Sequence, residues 1–334
     1  MQIRDAYQYI PFPYLSKSSY KRYKACKYAF KRLVIDKVET HGSRIMVQGT
    51  TLHFIYYKFF DLVDMDILFG LEWFVQNGTI GSPVYQYFYN VIAEFLDNEV
   101  PNKHMKMNIQ NFCMLQENLW VMYRVKEKSK SKLKRLFIAG IMEREIVMRD
   151  DYHMLFGTVD RIVREGNRLV ICDYKTGKVP NKVRDEIRDS VYTKVNLTHY
   201  TMEGAFYILL YLLNNGYTAQ QNIDGRWDLY KEGVMCNKVL KTIDYAFIFT
   251  GARSRRGPTY YVARKSAKIV SIRSILKNIQ VMRANTNWMR EPNVIRCRMC
   301  PLFVTECMGK IPIEIHGDIF GGENTTPQSV HHTQ

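Results

Sequence analysis

A Gly-Asn pair between two strand-like runs is the feature of this sequence that most constrains its fold. The stretch 153–177, HMLFGTVDRIVREGNRLVICDYKTG, holds two β-rich runs, and Gly166-Asn167 lies between them. A glycine-first pair in this setting predicts a type II′ hairpin with a two-residue loop. With that loop, the numbers of paired positions sum to 333, so Asp160 is expected directly opposite Asp173.

The predicted hairpin places charged side chains on one face of the sheet. Opposed residues have Cβ atoms about 5 Å apart, and the two-residue period puts Lys175 on the face of Asp173 while Tyr174 points away. Two facing carboxylates are destabilising unless a positive charge lies between them. A divalent metal ion would supply this positive charge. The alternative is a surface ion-pair cluster in which Lys175 supplies it. Both interpretations depend on the register, because a slip of one residue would separate the two acids.

These residues carry a family resemblance. GTVDRI followed by ICDYKTG resembles the D…(D/E)xK core of the PD-(D/E)xK nuclease superfamily, in particular its RecB-like branch. Further matches follow in the same chain order. Gly49-x-x-x-His53 resembles the upstream helical histidine motif of that branch, and Glu203-x-x-x-Tyr207 resembles the downstream Q-x-x-x-Y helix, with Glu203 where family members usually have Gln.

The resemblance implies roles for the residues of the hairpin and of the helix before it. His53, Asp160 and Asp173 would be ligands of one or two Mg²⁺ or Mn²⁺ ions, and the backbone carbonyl of Tyr174 would complete the shell. Lys175 would orient the attacking water or stabilise charge on the phosphate. The implied reaction is in-line hydrolysis of a phosphodiester bond.

Other candidates for the site are less firmly tied to it. Tyr207, with Glu203 and His199 on the same helical face, could line the cleft, and core packing would explain Tyr207 equally well. Glu145 is a further acidic candidate, although we favour its reading as a solvent-facing strand residue.

Four cysteines form a candidate metal centre. Cys297, Cys300 and Cys307 have the spacing C-x2-C-x6-C, and Cys26 stands alone near the other end of the chain. Four thiolates suit either a tetrahedral zinc ion or a 4Fe-4S cluster. The resemblance extends to the CRISPR-associated RecB-like exonucleases with an iron–sulfur cluster, and it favours 4Fe-4S, with zinc as the alternative.

The resemblance also implies the fold class and the domain organisation. We expect an α/β, restriction-endonuclease-like central mixed β-sheet flanked by helices. The expected segments are N-terminal helices over 1–64, a helical insertion over 65–135, the nuclease core and cysteine segment over 136–315, and a disordered tail over 316–334. Within the first segment, residues 17–35 are predicted as a single helix with Ser18 or Ser19 as its N-cap.

Composition points to the class of partner. The chain has 48 Lys and Arg against 32 Asp and Glu, a net charge of +16 in 334 residues. Such a surplus suits a polyanion. No apolar run approaches the roughly 20 residues of a membrane span, and no signal-peptide pattern opens the chain. We therefore expect a cytoplasmic, intracellular protein without a membrane.

The functional expectation is a DNA nuclease. By resemblance it would be an exonuclease on single strands or duplex ends, with a protein partner in recombination, repair or CRISPR adaptation. The alternatives are a nuclease-fold DNA-binding protein that no longer cleaves and an assembly factor that uses the fold as a scaffold. Intact Asp160, Asp173 and Lys175 favour the nuclease.

Overall fold

The computed structural model describes residues 14–40, 44–72, 82–97, 100–138, 143–177, 200–252, 259–291, 293, 297 and 300–308. The chain divides into two units, one made of positions 1–42 and 279–334 and the other of positions 43–278. The predicted disordered tail over 316–334 and His199 lie outside the described residues. No helix among the described residues is long and apolar enough to cross a membrane.

The larger unit is built on a mixed five-stranded sheet. Its strand order is β1-β2-β3-β7-β8, and β3 and β7 run parallel while the other neighbours are antiparallel. This is the mixed sheet that the sequence predicted. The strands are β1 (Glu143–Asp150), β2 (Leu155–Glu165), β3 (Arg168–Lys175), β7 (Ile243–Phe249) and β8 (Tyr261–Ser266).

The predicted hairpin between β2 and β3 is confirmed. Glu165 pairs with Arg168, and the register continues to Arg161 opposite Cys172, which keeps the sum of 333. Gly166 has φ = 57°. Asn167, which is also described, does not have a positive φ. Positive φ at the first loop position and negative φ at the second are what a type II′ turn requires.

Helices cover both faces of this sheet. α8 (Thr201–Asn214) lies against β1, β2, β3 and β7 on one face. On the other face, buried side chains of three helices pack with alternate residues of β3 and β7 in one apolar core. The three helices are α3 (Arg44–Leu62), α5 (Pro83–Phe95) and α6 (Lys103–Lys126). Both faces are therefore buried, which explains why β7 is apolar along nearly its whole length.

The described elements between residues 65 and 135 are helices, and the assignment of the whole range as a helical insertion stays a prediction. Side-chain caps begin several of these helices: Asp64, Ser82 and Asn102 each accept hydrogen bonds from backbone N–H groups of the first turn. Phe112 and Trp120 of α6 are buried in the core shared with α3 and the sheet. Besides α5 and α6, the segment holds α4 (Met65–Gly70) and α7 (Lys130–Phe137).

The remaining elements of the larger unit follow α8. A second, three-stranded antiparallel sheet has the order β4-β5-β6 and is tied down by Asp228, which accepts hydrogen bonds from Arg273 and Asn237. The sequence reading gave no assignment for this sheet. Its strands are β4 (Tyr217–Gln221), β5 (Trp227–Lys231) and β6 (Val234–Met235). A 3₁₀ helix (Asn237–Lys241) follows, and α9 (Ile269–Arg283) begins in this unit and ends in the smaller one.

The smaller unit corrects the prediction of one helix over 17–35. α1 (Lys17–Ala25) ends at Cys26, whose backbone is extended, and α2 (Lys27–Phe30) continues into a π-helical turn (Lys31–Ile35). The N-cap is Ser16, whose hydroxyl accepts from the Ser19 N–H; neither Ser18 nor Ser19 takes that role. Because no glycine or proline marks the interruption, the helical pattern alone did not reveal it.

Two segments of the smaller unit are joined by an ion-pair cluster. The carboxylate of Glu306 accepts two hydrogen bonds from Arg32, both at 2.9 Å, and one from the Tyr28 hydroxyl at 2.7 Å. These bonds lower the pKa of Glu306 to about 2. The contact links the helices after Cys26 to the π-helical turn (Phe303–Cys307) that ends at the last cysteine.

Candidate functional site

The pairing of β1 with β2 is interrupted at one position in each strand. Arg144 pairs with Arg161 and Ile146 with Val159, but the intervening Glu145 and Asp160 are outside the ladder. Glu145 has φ = 48°, a conformation that a non-glycine residue rarely adopts. Such irregularities re-aim side chains and are frequent next to active sites.

The alternation of β2 also breaks at Asp160. A Cβ atom on Gly157 would lie 3.1 Å from Leu210 of α8, so Gly157 faces α8. Arg161 instead borders a cavity with side chains of α6, which covers the opposite face. Residues four apart in a regular strand share a face. The strand is therefore distorted between these two residues, where Asp160 lies.

Three potential metal ligands meet at this distortion. One ligand atom from each of His53, Glu145 and Asp160 lies within 4.8 Å of the others. The Nδ1 atom of His53, from α3, is 3.1 Å from Oδ1 of Asp160. The second oxygen, Oδ2, accepts a hydrogen bond from the Tyr174 backbone N–H at 2.5 Å. Two carboxylates and an imidazole are a donor set that suits Mg²⁺ or Mn²⁺, so the residues present fit the expected ion.

Lys175 joins two buried acids, one on its own strand β3 and one on α8. Its Nζ lies 2.5 Å from Oδ2 of Asp173 and 2.5 Å from Oε1 of Glu203. The Glu203 side chain is fully buried, and that of Asp173 is nearly so. Lys175 also lies over the Phe247 ring at 5.2 Å. The ammonium group is therefore held in a fixed place between Asp173 and Glu203.

The electrostatics of the site favour a cation. Burial raises the pKa of Glu145, and the negative charge of Asp160 raises it further. For His53, burial opposes protonation, but the hydrogen bond to Asp160 and the charges of the surrounding acids outweigh it, so its pKa is raised. The negative charges of three carboxyl groups, those of Glu145, Asp160 and Asp173, converge on His53. This is the excess of negative charge that a divalent ion neutralises.

A buried polar network, which the sequence reading did not reveal, holds the end of β3. The carbonyl of Lys175 accepts hydrogen bonds from the backbone N–H groups of Thr250 and Gly251. The Thr250 hydroxyl donates to Asn108 Oδ1 at 2.7 Å and accepts from the Tyr56 hydroxyl at 3.0 Å. No sequence motif marks these residues within their helices and strands, so only their tertiary contacts identify them as members of a network.

The structure revises the sequence reading of Glu145. We expected this residue to face solvent, yet it is half-buried and belongs to the group with His53 and Asp160. Asp173, expected as a metal ligand, is outside that group of three and bonds to Lys175 instead. Glu145 lies opposite Asp160 in the register of the first two strands, and no sequence signal specifies that register.

The downstream helix places its two candidates differently. Glu203 faces the site through Lys175. Tyr207 is buried in α8, and its ring packs near Gly157 of β2, since a Cβ there would lie 3.7 Å from Cε1. The contact shows a packing role for Tyr207, and its predicted catalytic role stays a prediction. The Tyr174 side chain packs against Tyr56 and Phe112; the role of its carbonyl as a ligand also stays a prediction.

The four predicted cysteines meet in the smaller unit. Cys26, Cys297, Cys300 and Cys307 all line one cavity of about 360 Å³, which has mostly apolar walls. Cys26 occupies the interruption between α1 and α2, and the Cys300 N–H donates to the Cys297 carbonyl at 3.1 Å in a tight turn. The Cys297 sulfur accepts from the Asn293 N–H at 3.4 Å.

The thiols are nevertheless spread around the cavity. No three of these four sulfur atoms lie within 4.8 Å of one another. Burial raises the pKa of the Cys300 thiol, and neighbouring thiols add to the effect. Burial likewise raises the pKa of Cys307, against the opposing effect of Arg290. Around one zinc ion the sulfur atoms would be about 3.8 Å apart, because Zn–S bonds are about 2.3 Å and tetrahedral.

Comparison with known proteins identifies one family. The family model for the PD-(D/E)XK nuclease superfamily matches residues 14–303 of the chain. Comparison with the curated proteins gives no significant match. The matched range includes the hairpin, the helices on both faces of the sheet and the first two cysteines of the C-terminal cluster.

Proposed function

The chain belongs to the PD-(D/E)XK nuclease superfamily, and we propose that it is a metal-dependent deoxyribonuclease. The observation that carries this proposal is the convergence of His53, Glu145 and Asp160 within 4.8 Å, beside a lysine fixed by two buried acids. A catalytically silent member would have no need to retain such an excess of buried carboxylates, because they destabilise the fold.

Each residue of the site has a distinct task. His53, Glu145 and Asp160 would hold Mg²⁺ or Mn²⁺, and Asp173 is the further acid that the hairpin brings to the site. The bound ion supplies a polarised phosphate and an activated water. The Tyr174 N–H fixes one oxygen of Asp160 and thereby orients the other toward His53. This pre-organisation costs nothing at the moment of reaction.

Lys175 supplies the fixed positive charge. Its Nζ is anchored by Asp173 and Glu203, and its backbone carbonyl is anchored by Thr250 and Gly251. An ammonium group held in this way stabilises the negative charge that develops on a phosphate under attack. Glu203 acts on the reaction through Lys175, and it is therefore a positioning residue.

The proposed substrate is DNA, attacked at single-stranded or duplex ends. The net charge of +16 favours a polyanionic substrate. The exonucleolytic mode rests on the resemblance to the RecB-like branch described above. A partner in recombination, repair or CRISPR adaptation and an intracellular location belong to the same proposal.

Cleavage of labelled single strands tests the activity and its mode. Linear DNA labelled at either end, circular single-stranded DNA and an RNA of the same sequence are incubated with Mg²⁺ or Mn²⁺. We expect linear DNA to be shortened and the circle to persist. Lys175→Ala and Asp173→Ala should abolish cleavage, whereas Asp66→Asn, which changes an exposed carboxylate of α4, should not. Folded, metal-loaded wild type that binds DNA without cutting it would support the binding or scaffold alternative instead.

We propose further that Cys26, Cys297, Cys300 and Cys307 hold a 4Fe-4S cluster. Support comes from the shared cavity of about 360 Å³ and from sulfur positions that are too dispersed for a single zinc ion. The cluster would cross-link the helices near Cys26 with the C-terminal segment of the same unit, so its role would be structural. A zinc ion would require the thiolates to move together.

Anaerobic purification distinguishes the two metals. We expect absorbance near 400 nm and about four iron and four sulfide ions per chain, with both lost in Cys300→Ser. Cys113→Ser is the matched control, because Cys113 is a fully buried core thiol of the other unit. One zinc ion per chain without iron would contradict the cluster and leave the nuclease proposal untouched.

A further inference from the structure

A second cavity lies in the larger unit, on the α6 side of the main sheet. Its volume is about 440 Å³, within the range of small-molecule sites. One wall is the α6 stripe of Leu115, Leu119 and Met122, and the other is formed by apolar residues of the sheet, among them Val163 and Ile248. The cavity is thus large and mostly apolar.

One buried cation borders this apolar space. Arg161 is only 3 % exposed, and its Nε has no hydrogen-bond partner. Nη1 of Arg161 donates a long hydrogen bond, 3.4 Å, to the Tyr174 hydroxyl. The guanidinium group lies 5.6 Å from the centre of the Phe60 ring. Among the described residues, no carboxylate forms an ion pair with it. A guanidinium buried in this way is costly to the fold unless an anion can reach it.

The other charged residues of the cavity are already paired. Arg264 bonds to Glu165 and Asp244, so neither Arg264 nor Glu165 needs an external partner. Asn118 donates to the Tyr260 hydroxyl at 2.8 Å, but its Oδ1 is buried and accepts no hydrogen bond. The cavity therefore presents one unneutralised cation and one unused acceptor in apolar surroundings.

We infer that this cavity is a binding site for a small monocarboxylate with an apolar body, whose carboxylate pairs with Arg161. The planar guanidinium matches a carboxylate in shape, and a single cation within apolar walls does not offset the desolvation of a phosphate dianion. Asn118 would accept from a hydroxyl or amide of the ligand. The inference is independent of the nuclease activity.

The site adjoins the metal-ligand group. Arg161 directly follows Asp160 in β2, and it also borders the small pocket lined by His53, Glu145 and Asp160. A carboxylate bound to Arg161 would change the charge beside that pocket. Its binding is nevertheless measured directly and does not depend on cleavage.

Calorimetric titration of the full chain with octanoate, and with 1-octanol as the uncharged match, tests the inference. Pairing with Arg161 should make octanoate bind about tenfold more tightly than octanol. Arg161→Met should remove that advantage and leave octanol binding unchanged. Arg164→Met, which changes the exposed neighbouring arginine, should behave as wild type.

Two further measurements keep the test decisive. Removing an uncompensated buried charge should leave the thermal midpoint of Arg161→Met equal to or above that of wild type. Ala246→Leu, which fills the cavity and keeps Arg161, should abolish binding of both ligands. Equal binding of octanoate and octanol by wild type would overturn the inference, and so would an advantage of octanoate over octanol that survives Arg161→Met. Unfolding of Arg161→Met would also overturn it and would make Arg161 a structural residue.

Discussion

Lys175 is the cation that neutralises two buried acids of the larger unit. Its partners are Asp173 of its own strand and Glu203 of α8. The Q-x-x-x-Y pattern that this helix resembles has a neutral Gln where this chain has Glu203, so this chain has one more buried charge than that pattern requires. The lysine is therefore expected to matter for stability as well as for chemistry.

Lys175→Ala should lower the free energy of unfolding by about 3 kcal/mol, because it leaves two buried carboxylates without their cation. Glu203→Gln introduced into that variant should recover about half of the loss, since one of the two acids then remains uncompensated. Urea unfolding of the wild type, both single variants and the double variant, all with EDTA present, measures the coupling. Additive losses would show that the two side chains do not interact.

At the residue scale, the sequence predicted the register of the β2–β3 hairpin, because that register depends on the turn alone. The Gly166-Asn167 turn fixes the register as far as Arg161 opposite Cys172, and the charges of Asp160 and Asp173, the next residues, both act on His53. Glu145 was misjudged because its position depends on the pairing of β1 with β2. Those strands are joined by the four residues 151–154, whose chemistry specifies no single register, and the positive φ of Glu145 is not visible in a sequence.

At the scale of elements, α8 approaches the sheet closely at Gly204. A Cβ atom there would overlap the ring of Tyr245 in β7, which is itself buried. The close approach matters for the site because the adjacent Glu203 reaches Lys175 from the same turn of the helix. Helix position and site geometry are thus coupled.

Gly204→Ala should destabilise the protein by about 2 kcal/mol through overpacking and should reduce cleavage by moving Glu203 away from Lys175. Gly70→Ala is the matched control, because a Cβ at Gly70 in α4 meets no atom within 4 Å. Thermal unfolding and cleavage rates measure both effects. An unchanged Gly204→Ala variant would show that α8 can shift without consequence.

Asp244 links three strands of the main sheet. Burial opposes its ionisation, but hydrogen bonds from Ser266 of β8, Arg168 of β3 and Arg264 of β8 outweigh burial, so its pKa is lowered. A carboxyl group with a lowered folded-state pKa stabilises the protein above its unfolded pKa. That contribution is lost as the pH falls through the folded-state value.

Asp244→Asn should therefore cost about 2 kcal/mol at neutral pH, where hydrogen bonds to a charged group are lost. The difference from wild type should shrink below about pH 4, as the wild-type carboxyl group begins to be protonated. Urea unfolding of both proteins over a series of pH values measures this difference in the free energy of unfolding. A difference that does not vary with pH would contradict an ionised Asp244 in the folded protein.

Two features of the fold could not be predicted from the sequence patterns, for physical reasons. The break at Cys26 separates α1 from α2 without a glycine or proline, so only the tertiary contacts of the smaller unit reveal it. The helices over 65–135 were predicted as helices because their apolar residues recur at helical spacing. Their packing in one core with the sheet was not predicted, because it depends on contacts between residues that are more than a hundred positions apart in the sequence.

At the scale of the whole molecule, the positive charge sets the conditions under which a polyanion binds. The surplus of +16 is distributed along the chain, and a protein that neutralises several phosphates releases their counterions. DNA affinity should then fall at least about tenfold between 50 and 200 mM salt. Fluorescence anisotropy of labelled single-stranded DNA, with EDTA to prevent cleavage, measures this. Affinity that is insensitive to salt would indicate that phosphate contacts are not the basis of binding.

The central claim is that phosphodiester hydrolysis takes place where His53, Glu145 and Asp160 meet. The cleavage rate of end-labelled single-stranded DNA as a function of Mn²⁺ concentration tests it most directly. Wild type should show saturation and lose all activity in EDTA. Glu145→Gln should require at least about tenfold more Mn²⁺ for half-maximal rate, and Asp160→Asn should be inactive at every concentration. Equal Mn²⁺ dependence in wild type and both variants would contradict the claim.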